Sequence, residues 1–243
     1  MNEINNYLLL NILKYLTIDD ISNLILVDKY KNRLLKDDNI WKILLDKYKI
    51  ELQIEDIDMY KIVKKSTYRE TLFLVKDLNE LKKIDRLKDK TIVEIYNLQT
   101  LYLNDNEIKE IPPEIGSLTN LQILYLHDNE IKEIPPEIGS LTNLQILYLY
   151  NNKIKEIPPE IGSLTKLQEL AFSCNQIKEI PPEIGFLINL QKLYFSYNKI
   201  KEIPSEIGFL TNLQYLSLNN NEINESSKKI IKSVNIRNLY LKL

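Results

Sequence analysis

The stretch IKEIPPEIGSLTNLQILYL runs from Ile108 to Leu126 and occurs again, letter for letter, from Ile131 to Leu149. Aligning the rest of the chain on this stretch gives a period of 23 residues that starts at about Leu98. Six consecutive units fit Leu-x-x-Leu-x-Leu-x-x-Asn, with Phe in place of the third Leu in two of them. No single unit can bury its apolar residues alone, so the pattern predicts neighbouring units that share one core.

This spacing is the signature of leucine-rich repeats, and residues 98–243 resemble that family. The resemblance implies an α/β solenoid, a curved horseshoe with short parallel strands on its concave face. We expect six 23-residue units in this segment and a seventh strand at 236–242. Within a unit, Leu101 and Leu103 alternate with other residues, which is the period-two pattern of a short strand with one buried face.

The other recurring residues of a unit have separate predicted roles. Asn106 follows the strand, and its amide can satisfy backbone groups that would otherwise be buried unpaired between units. Pro112-Pro113 excludes a strand or helix interior, so we expect an extended segment or a short 3₁₀ turn there, and Gly116 then supplies backbone freedom. The expected structural asparagine ladder consists of Asn106, Asn129, Asn152, Asn175, Asn198 and Asn221.

The first 97 residues have no repeat. Apolar residues at helical spacing and acidic helix starts predict three short helices in residues 1–48. Residues 49–97 fit further helices, and Ile95 lies 23 residues before Leu118 of the first repeat. We expect a helical linker there that ends in an N-terminal cap, because a solenoid needs its first open face covered.

The segment YLLLNILKYLTIDDISNLILVDKYKNRLLKDDNIWKILL, from Tyr7 to Leu45, resembles an F-box. It has a leucine-rich first helix that ends in Tyr15-Leu16, an acidic cap on the second helix, and Trp41 near its end. This resemblance implies a small all-α F-box-like helical bundle ahead of the solenoid. The segment departs from the family pattern at Ile4-Asn5, Thr17, Asp28 and Tyr30.

F-box modules dock on the adaptor Skp1, which joins them to a cullin and a RING subunit in an SCF-type ubiquitin ligase. The resemblance therefore implies a Skp1-like adaptor and, through it, a cullin as partners, while the repeats recruit an unknown protein substrate. The implied Skp1-docking residues are Ile4, Leu8, Leu9, Ile12, Leu13, Leu16, Leu24, Leu26, Val27 and Trp41. The alternative is that many of these side chains form the core of the bundle itself.

Composition limits the class of protein. Of the 243 residues, 44% are hydrophobic and 27% charged, and the formal net charge is −2, which is not typical of a nucleic-acid binder. No apolar run approaches the roughly 20 residues that span a membrane, and Met1-Asn2-Glu3 lacks the basic region of a signal peptide. With a single cysteine, we expect a cytoplasmic protein, monomeric outside its complex. The nucleus, or the host cytoplasm for a viral or parasitic source, is the alternative location.

Nothing in the sequence predicts catalysis, a cofactor or a metal site. The single histidine, His127, and the single cysteine, Cys174, fall two repeats apart. Strand spacing separates them by roughly 10 Å, whereas a nucleophile and its base need to be about 3 Å apart. There is no Cys/His set at metal-ligand spacing, and five glycines make no phosphate-binding loop. We therefore predict a protein that is not an enzyme.

The concave sheet is the predicted binding surface, because its outward side chains have no packing role. Tyrosine offers a large contact area and a hydroxyl, which protein interfaces favour. The partner-binding candidates are Tyr102, Tyr125, His127, Tyr148, Tyr150, Tyr194, Tyr197, Tyr215 and Tyr240. The alternative is that the tyrosines are relics of duplication or a ladder that stabilises the strands. Ala171 interrupts one tyrosine column and, with Cys174, predicts a low spot that accepts a protruding partner residue.

Two functions of different class fit these features. The first is a substrate-recruiting subunit of an SCF-type ubiquitin ligase, and a decoy that occupies Skp1 without delivering a substrate fits the sequence equally. The second is a stand-alone intracellular leucine-rich-repeat scaffold, similar to signalling or phosphatase-regulating members of the family, in which the first helices serve only as a cap.

Overall fold

The computed structural model describes residues 81–90, 92–233 and 240–242. Leu81–Lys88 and Glu94–Leu243 form one compact unit, and Asp89–Val93 group with Met1–Glu80 in another. The predicted three-helix module, all ten Skp1-docking candidates and most of the predicted linker lie outside the described residues.

The described chain begins with helical turns and continues as a regular series of strands and turns. Two 3₁₀ turns, Leu81–Lys83 and Asp85–Leu87, precede a short helix α1, Ile92–Tyr96. The strands are β1 Thr100–Tyr102, β2 Ile123–Tyr125, β3 Ile146–Tyr148, β4 Glu169–Ala171, β5 Lys192–Tyr194, β6 Tyr215–Ser217 and β7 Tyr240–Lys242. The 3₁₀ turns between them are Pro113–Ser117, Pro136–Ser140, Pro159–Ser163, Pro182–Phe186 and Ser205–Phe209, and helix α2, Glu225–Ser233, follows β6.

The seven strands form one parallel sheet in chain order, β1 to β7. From β1 to β6 each residue pairs with the residue 23 positions later, as Leu124 does with Leu147. Each 3₁₀ turn contacts the turn of the next repeat on the opposite side of the coil. In a solenoid of such strand-and-3₁₀ repeats, the strands line the concave side of the horseshoe. The predicted curved solenoid of parallel strands is confirmed.

The core runs along the whole described solenoid and uses the same positions in every repeat. We number the repeats 1 to 6 from residues 98, 121, 144, 167, 190 and 213. In repeat 3 the fully buried side chains are Leu144, Leu147, Leu149, Ile154, Ile161 and Leu164. In repeats 4 and 5, Phe172 and Phe195 replace the third leucine, and their buried rings stack with centroids 5.5 Å apart. At the N-terminal side, Leu87 and Ile95 are also fully buried.

The proline pair sets the backbone of the convex side. Pro112 has φ −66° and ψ 140°, which is extended, and Pro113 begins a 3₁₀ turn that ends at Ser117. Proline fits the first position of such a turn because its fixed φ is suitable and its missing N–H is not needed there. The predicted extended segment followed by a 3₁₀ turn is confirmed.

The recurring glycine has a different role from the predicted one. Among the described residues, no glycine has a positive φ, so backbone freedom is not what the position requires. A Cβ atom on Gly116 would lie 2.7 Å from the carbonyl oxygen of Glu137 in the next repeat. Glycine is needed because neighbouring 3₁₀ turns pack too closely for any side chain.

The last strand pairs with a different register from the predicted one. A constant period of 23 would place Tyr240 beside Ser217, but Tyr240 pairs with Tyr215 and Leu241 with Leu216, an offset of 25. Helix α2 stands where the other repeats have a 3₁₀ turn. An α-helix rises about 1.5 Å per residue, less than half the rise of an extended chain, so the last repeat needs extra residues to return to the sheet.

Helix α2 is held against repeat 5 through one buried hydroxyl. The Ser227 hydroxyl accepts a hydrogen bond from the Ile203 N–H at 2.9 Å, and Ser227 is buried. Ile231, one turn further on, is buried as well. Among the described residues, no helix is long and apolar enough to cross a membrane.

Candidate functional site

In repeats 2 to 6, an asparagine four residues after the strand joins two repeats. The Nδ2 of Asn152 donates to the carbonyl oxygens of Leu149 at 3.1 Å and of Leu126, in the preceding repeat, at 2.9 Å. Its Oδ1 accepts the N–H of Ile131 at 3.0 Å. The same three bonds recur at Asn129, Asn175, Asn198 and Asn221. These side chains replace the backbone partners that the narrow turn removes, so their role is architectural.

Asn106, the first of the series, is different. Among the described residues, its Nδ2 donates to acceptors of its own repeat, the carbonyl oxygens of Leu103 at 3.1 Å and Asn104 at 2.8 Å. Its side chain is exposed, unlike Asn129 and the three that follow. We expect Asn106 to contribute less to stability, since water can replace both bonds.

The residue before each ladder asparagine has a left-handed backbone. The six φ angles lie between 53° and 58°, at Asp105, Asp128, Asn151, Cys174, Tyr197 and Asn220. Aspartate and asparagine tolerate this conformation, whereas other residues with a Cβ pay about 1–2 kcal/mol. Repeats 4 and 5 therefore carry strain, at Cys174 and Tyr197, that the other repeats avoid.

The tyrosines of repeats 1 to 3 form a column on the concave face. Tyr125 lies between Tyr102, at a centroid distance of 5.3 Å, and Tyr148, at 4.9 Å, and its ring is stacked on the second. His127 stacks on Tyr150 in a second column at 4.3 Å. The parallel register brings these side chains together, because it places equivalent positions on adjacent strands.

The column stops at repeat 4, but no open gap results. Ala171, which pairs with Tyr148 in the sheet, is only 5% exposed. The Tyr148 hydroxyl donates a hydrogen bond to Glu169, so its ring leans toward the strand that carries Ala171. Burial, followed by this carboxylate, raises the pKa of Tyr148 and keeps the hydroxyl protonated. The low spot that we expected at Ala171 is therefore covered.

Glu169 is the centre of a charged contact across three repeats. Its second oxygen accepts a hydrogen bond from the Lys192 ammonium at 2.8 Å. Burial alone would raise the pKa of Glu169, but the hydrogen bonds from Lys192 and Tyr148 outweigh burial and lower it. The carboxylate in turn raises the pKa of Lys192.

A second polar contact lies at the rim of repeats 2 and 3. One carboxylate oxygen of Asp128 accepts a hydrogen bond from the Asn151 amide, and the other lies 2.7 Å from His127 Nδ1. These bonds lower the pKa of Asp128, the one from Asn151 most. Burial, then Asp128 and Asp105, raise the pKa of Tyr150. This rim is acidic and aromatic.

In repeats 5 and 6 small hydroxyls take the place of rings. Ser196 and Ser217 are buried, and their hydroxyls donate to Oδ1 of Asn219 at 2.7 Å and 2.9 Å. Tyr194 and Tyr215 pair beside them with centroids 4.9 Å apart. The concave face thus changes from aromatic in repeats 1 to 3 to mixed in repeats 4 to 6.

Exposure separates the predicted binding residues. Tyr102 and Tyr197 are the most exposed of them, at 50% and 57%, and those from β2 to β6, including His127, are half-buried. Tyr240 lies in β7. Sequence reasoning missed the Glu169–Lys192 pair, although a difference of 23 between their numbers was a sufficient signal.

The other side chains that could bind a metal do not cluster in the described part of the chain. No group of three or more His, Cys, Asp or Glu side chains in this part of the chain could hold a metal ion. Cys174 is free and exposed, and His127 contacts Asp128 and Tyr150. The arrangement can present aromatic and polar side chains to another molecule, and it contains no nucleophile and base in contact.

The sequence agrees with one known family over most of its length. A family model described as leucine-rich repeat region matches residues 61–172 and 146–242. The chain is a leucine-rich repeat protein. No curated protein matches it.

Solved structures show the same fold. A leucine-rich repeat protein from Leptospira interrogans is 38% identical, with a TM-score of 0.60 over 63% of this chain and 38% of that one. An internalin from Listeria monocytogenes is 30% identical, with a TM-score of 0.56 over 62% of this chain and 42% of that one. This leucine-rich repeat protein therefore spans less than half the length of either.

A third structure is a receptor. The ectodomain of the Arabidopsis thaliana membrane receptor kinase GASSHO1/SCHENGEN3, in complex with CASPARIAN STRIP INTEGRITY FACTOR 2, is 34% identical, with a TM-score of 0.53. The match covers 59% of this chain and 18% of that one.

Proposed function

We propose that this leucine-rich repeat protein is a non-enzymatic recognition protein whose concave face binds a protein partner. The observation that carries the proposal is the half-exposed aromatic surface of repeats 1 to 3, from Tyr102 to Tyr150. These rings lie outside the shared core, and clustered tyrosines are typical of protein interfaces. The structure of a related receptor ectodomain in complex with a second molecule supports the same use of the fold.

The finer form of the proposal is a substrate-recruiting subunit of an SCF-type ubiquitin ligase. It rests on the F-box resemblance of residues 7–45 and on the position of that segment ahead of the repeats. In this form, residues 1–48 dock on a Skp1-like adaptor while the concave face holds the substrate, in the cytoplasm. A stand-alone repeat scaffold is the alternative, in which the same concave face binds its partner and no adaptor is involved.

Binding to purified Skp1 separates these two forms. We expect the full chain to bind Skp1 in a pull-down, and Leu13→Asp to abolish binding, because a charge would enter the apolar docking face. Asn11→Asp places the same charge two residues away on a polar position and should bind normally. If the wild-type chain fails to bind Skp1, or if Leu13→Asp binds as well as wild type, the adaptor role is wrong.

The concave face is tested by affinity capture with quantitative mass spectrometry. The double variant Tyr125→Ser, Tyr150→Ser should lose at least tenfold of the captured substrate while Skp1 recovery is unchanged. Lys155→Ser, Glu156→Ser alters two exposed residues that follow the ladder on the way to the convex side, and it should capture the substrate normally. Equal losses in both double variants would contradict binding on the concave face.

A further inference from the structure

Of the six equivalent rim residues, Tyr197 is the one least suited to its backbone conformation. Its φ is 57°, in the left-handed region, where four of the six equivalent residues are aspartate or asparagine. A bulky aromatic residue in this region is a rare exception. Its side chain is nevertheless 57% exposed, so burial does not compensate the strain.

The backbone bonds at this position do not require tyrosine. The Tyr197 N–H donates to the Asn219 carbonyl at 2.9 Å, and its carbonyl accepts the Asn175 N–H at 3.2 Å. Asn151 makes the same pair of bonds two repeats earlier, with the Ser173 carbonyl at 2.9 Å. Across the described part of the chain, no hydrogen bond or ring contact from the Tyr197 side chain is found. An asparagine would therefore serve the fold better.

The surroundings of Tyr197 leave its ring accessible. The equivalent rim residues on either side are Cys174, which is short, and Asn220, and both are uncharged. This part of the rim differs from repeats 1 and 2, where Asp105 and Asp128 carry negative charge. A partner that contacts the rim here meets a neutral aromatic ring with a hydroxyl at its tip.

We propose that Tyr197 is the anchor residue of the partner-binding surface. It packs its ring against an uncharged, apolar side chain of a protein partner and hydrogen-bonds that partner through its hydroxyl. A strained residue with no folding role indicates a functional one, and tyrosine is over-represented among the residues that dominate interface energies. This inference rests on the proposed function, because it names the residue through which the concave face would bind.

The test uses peptides of known sequence as probes. Twelve-residue peptides are selected from a random display library against the full chain, and their Kd values are measured by fluorescence anisotropy. We expect Tyr197→Asn to weaken binding at least tenfold while its Tm rises by about 2–4 °C, because the strain is relieved. Tyr197→Phe keeps the ring and should lose less than Tyr197→Asn.

Tyr197→Ala is the matched control. It removes the ring but keeps a Cβ in the left-handed region, so the strain stays, and we expect the same loss of affinity as in Tyr197→Asn without the rise in Tm. Wild-type affinity in Tyr197→Ala, with a loss in Tyr197→Asn, would mean that strain relief, and not the ring, changed binding, which would overturn the assignment of Tyr197.

The outcomes distinguish this inference from the proposed function. Peptides that lose affinity with Tyr125→Ser, Tyr150→Ser but not with Tyr197→Asn would leave the concave face as the binding surface and overturn the anchor role. Peptides that respond to no concave variant, or a selection that yields no specific peptide, would contradict both.

Discussion

Repeats 1 to 3 and repeats 4 to 6 have the same core and different concave faces. Leu147 in the first half and Leu193 in the second are fully buried at equivalent positions, and Asn152 and Asn198 make the same inter-repeat bonds. On the face, stacked rings in the first half give way to Ala171, buried serines and one ion pair in the second.

The difference shows which positions the fold constrains. A core or ladder residue contacts both neighbouring repeats, so a change at one unit is felt by two others. An outward strand residue contacts only its lateral neighbours, and several solutions are acceptable there. Sequence variation among otherwise similar repeats therefore marks the surface that is available to bind a partner.

Replacing a ladder asparagine should destabilise the protein most, and the loss of stability should be equal in the two halves. Asn152→Ala and Asn198→Ala should each lower the free energy of unfolding by roughly 3 kcal/mol, because buried backbone groups in two repeats lose their partners. Urea denaturation measures the change. Asn106→Ala should cost less than about 1 kcal/mol, since its bonds are exposed. Similar losses in all three would contradict the role assigned to inter-repeat bonding.

Adding one methyl group at the recurring glycine should be the next most damaging change. A Cβ on Gly139 would lie 2.7 Å from the Glu160 carbonyl oxygen, and one on Gly185 would lie 2.8 Å from that of Glu206. We expect each alanine variant to lose about 1–3 kcal/mol through overpacking, as measured by thermal unfolding. Ser140→Ala, at the exposed neighbouring residue, is the control and should be neutral. Unchanged stability in the glycine variants would mean that the turns can separate freely.

Removing a ring from the tyrosine column should have a smaller effect, confined to the first half. Tyr125→Ser should lower stability by about 1 kcal/mol, because Tyr125 contacts the rings on both sides. Tyr102→Ser, at the end of the column, should lose about half as much. Calorimetry on the two variants compares them. Equal effects would show that stacking does not hold the rings in place.

The smallest expected effect is a pH-dependent one in the second half. Because the folded pKa of Glu169 is below its ordinary value of 4.5, its stabilising contribution is present above that pH and is lost as the pH falls through the lower, folded value. Glu169→Gln should lower stability by about 0.5 kcal/mol at pH 7, with the difference shrinking below pH 4.5.

Urea denaturation at pH 7 and below pH 4.5 measures this difference, and Glu156→Gln, at an exposed carboxylate, is the control. The equivalent residue in repeat 3 is Ile146, so the first half has no counterpart of this carboxylate at the same strand position. A difference between wild type and Glu169→Gln that is the same at both pH values would contradict the pairing with Lys192.

The repeated part of the fold could be predicted from the sequence because each unit has the same residue types at the same structural positions. The period of 23, the buried leucines and the extended-then-3₁₀ backbone at Pro112-Pro113 all follow from residues that recur. The reason for Gly116 was wrong, since close approach between turns depends on three-dimensional packing and not on local backbone preference. The register of β7 was wrong because helix α2 changed the number of residues per coil.

The sequence predicted which side chains lie on the concave face, but not the contacts that these side chains make with each other. The candidates Tyr125 and Tyr148 do lie together, but lateral pairing also covers Ala171 and neutralises Glu169 with Lys192. The left-handed backbone at Tyr197 could not be read from the residue itself, because tyrosine is not typical of that conformation. The Skp1-docking residues and the adaptor role stay predictions, since they fall outside the described residues.

Because of the asparagine ladder, a whole repeat can be inserted without loss of the bonds between repeats. The Asn152 side chain bonds to its own repeat and the one before it, and its N–H donates to Cys174 in the next repeat, so an additional copy inserted between two repeats would find the same partners. The identical stretches at Ile108–Leu126 and Ile131–Leu149 show two neighbouring units with the same sequence. The length of the concave face can therefore change by whole repeats through recombination. The side chains on that face change one at a time by substitution.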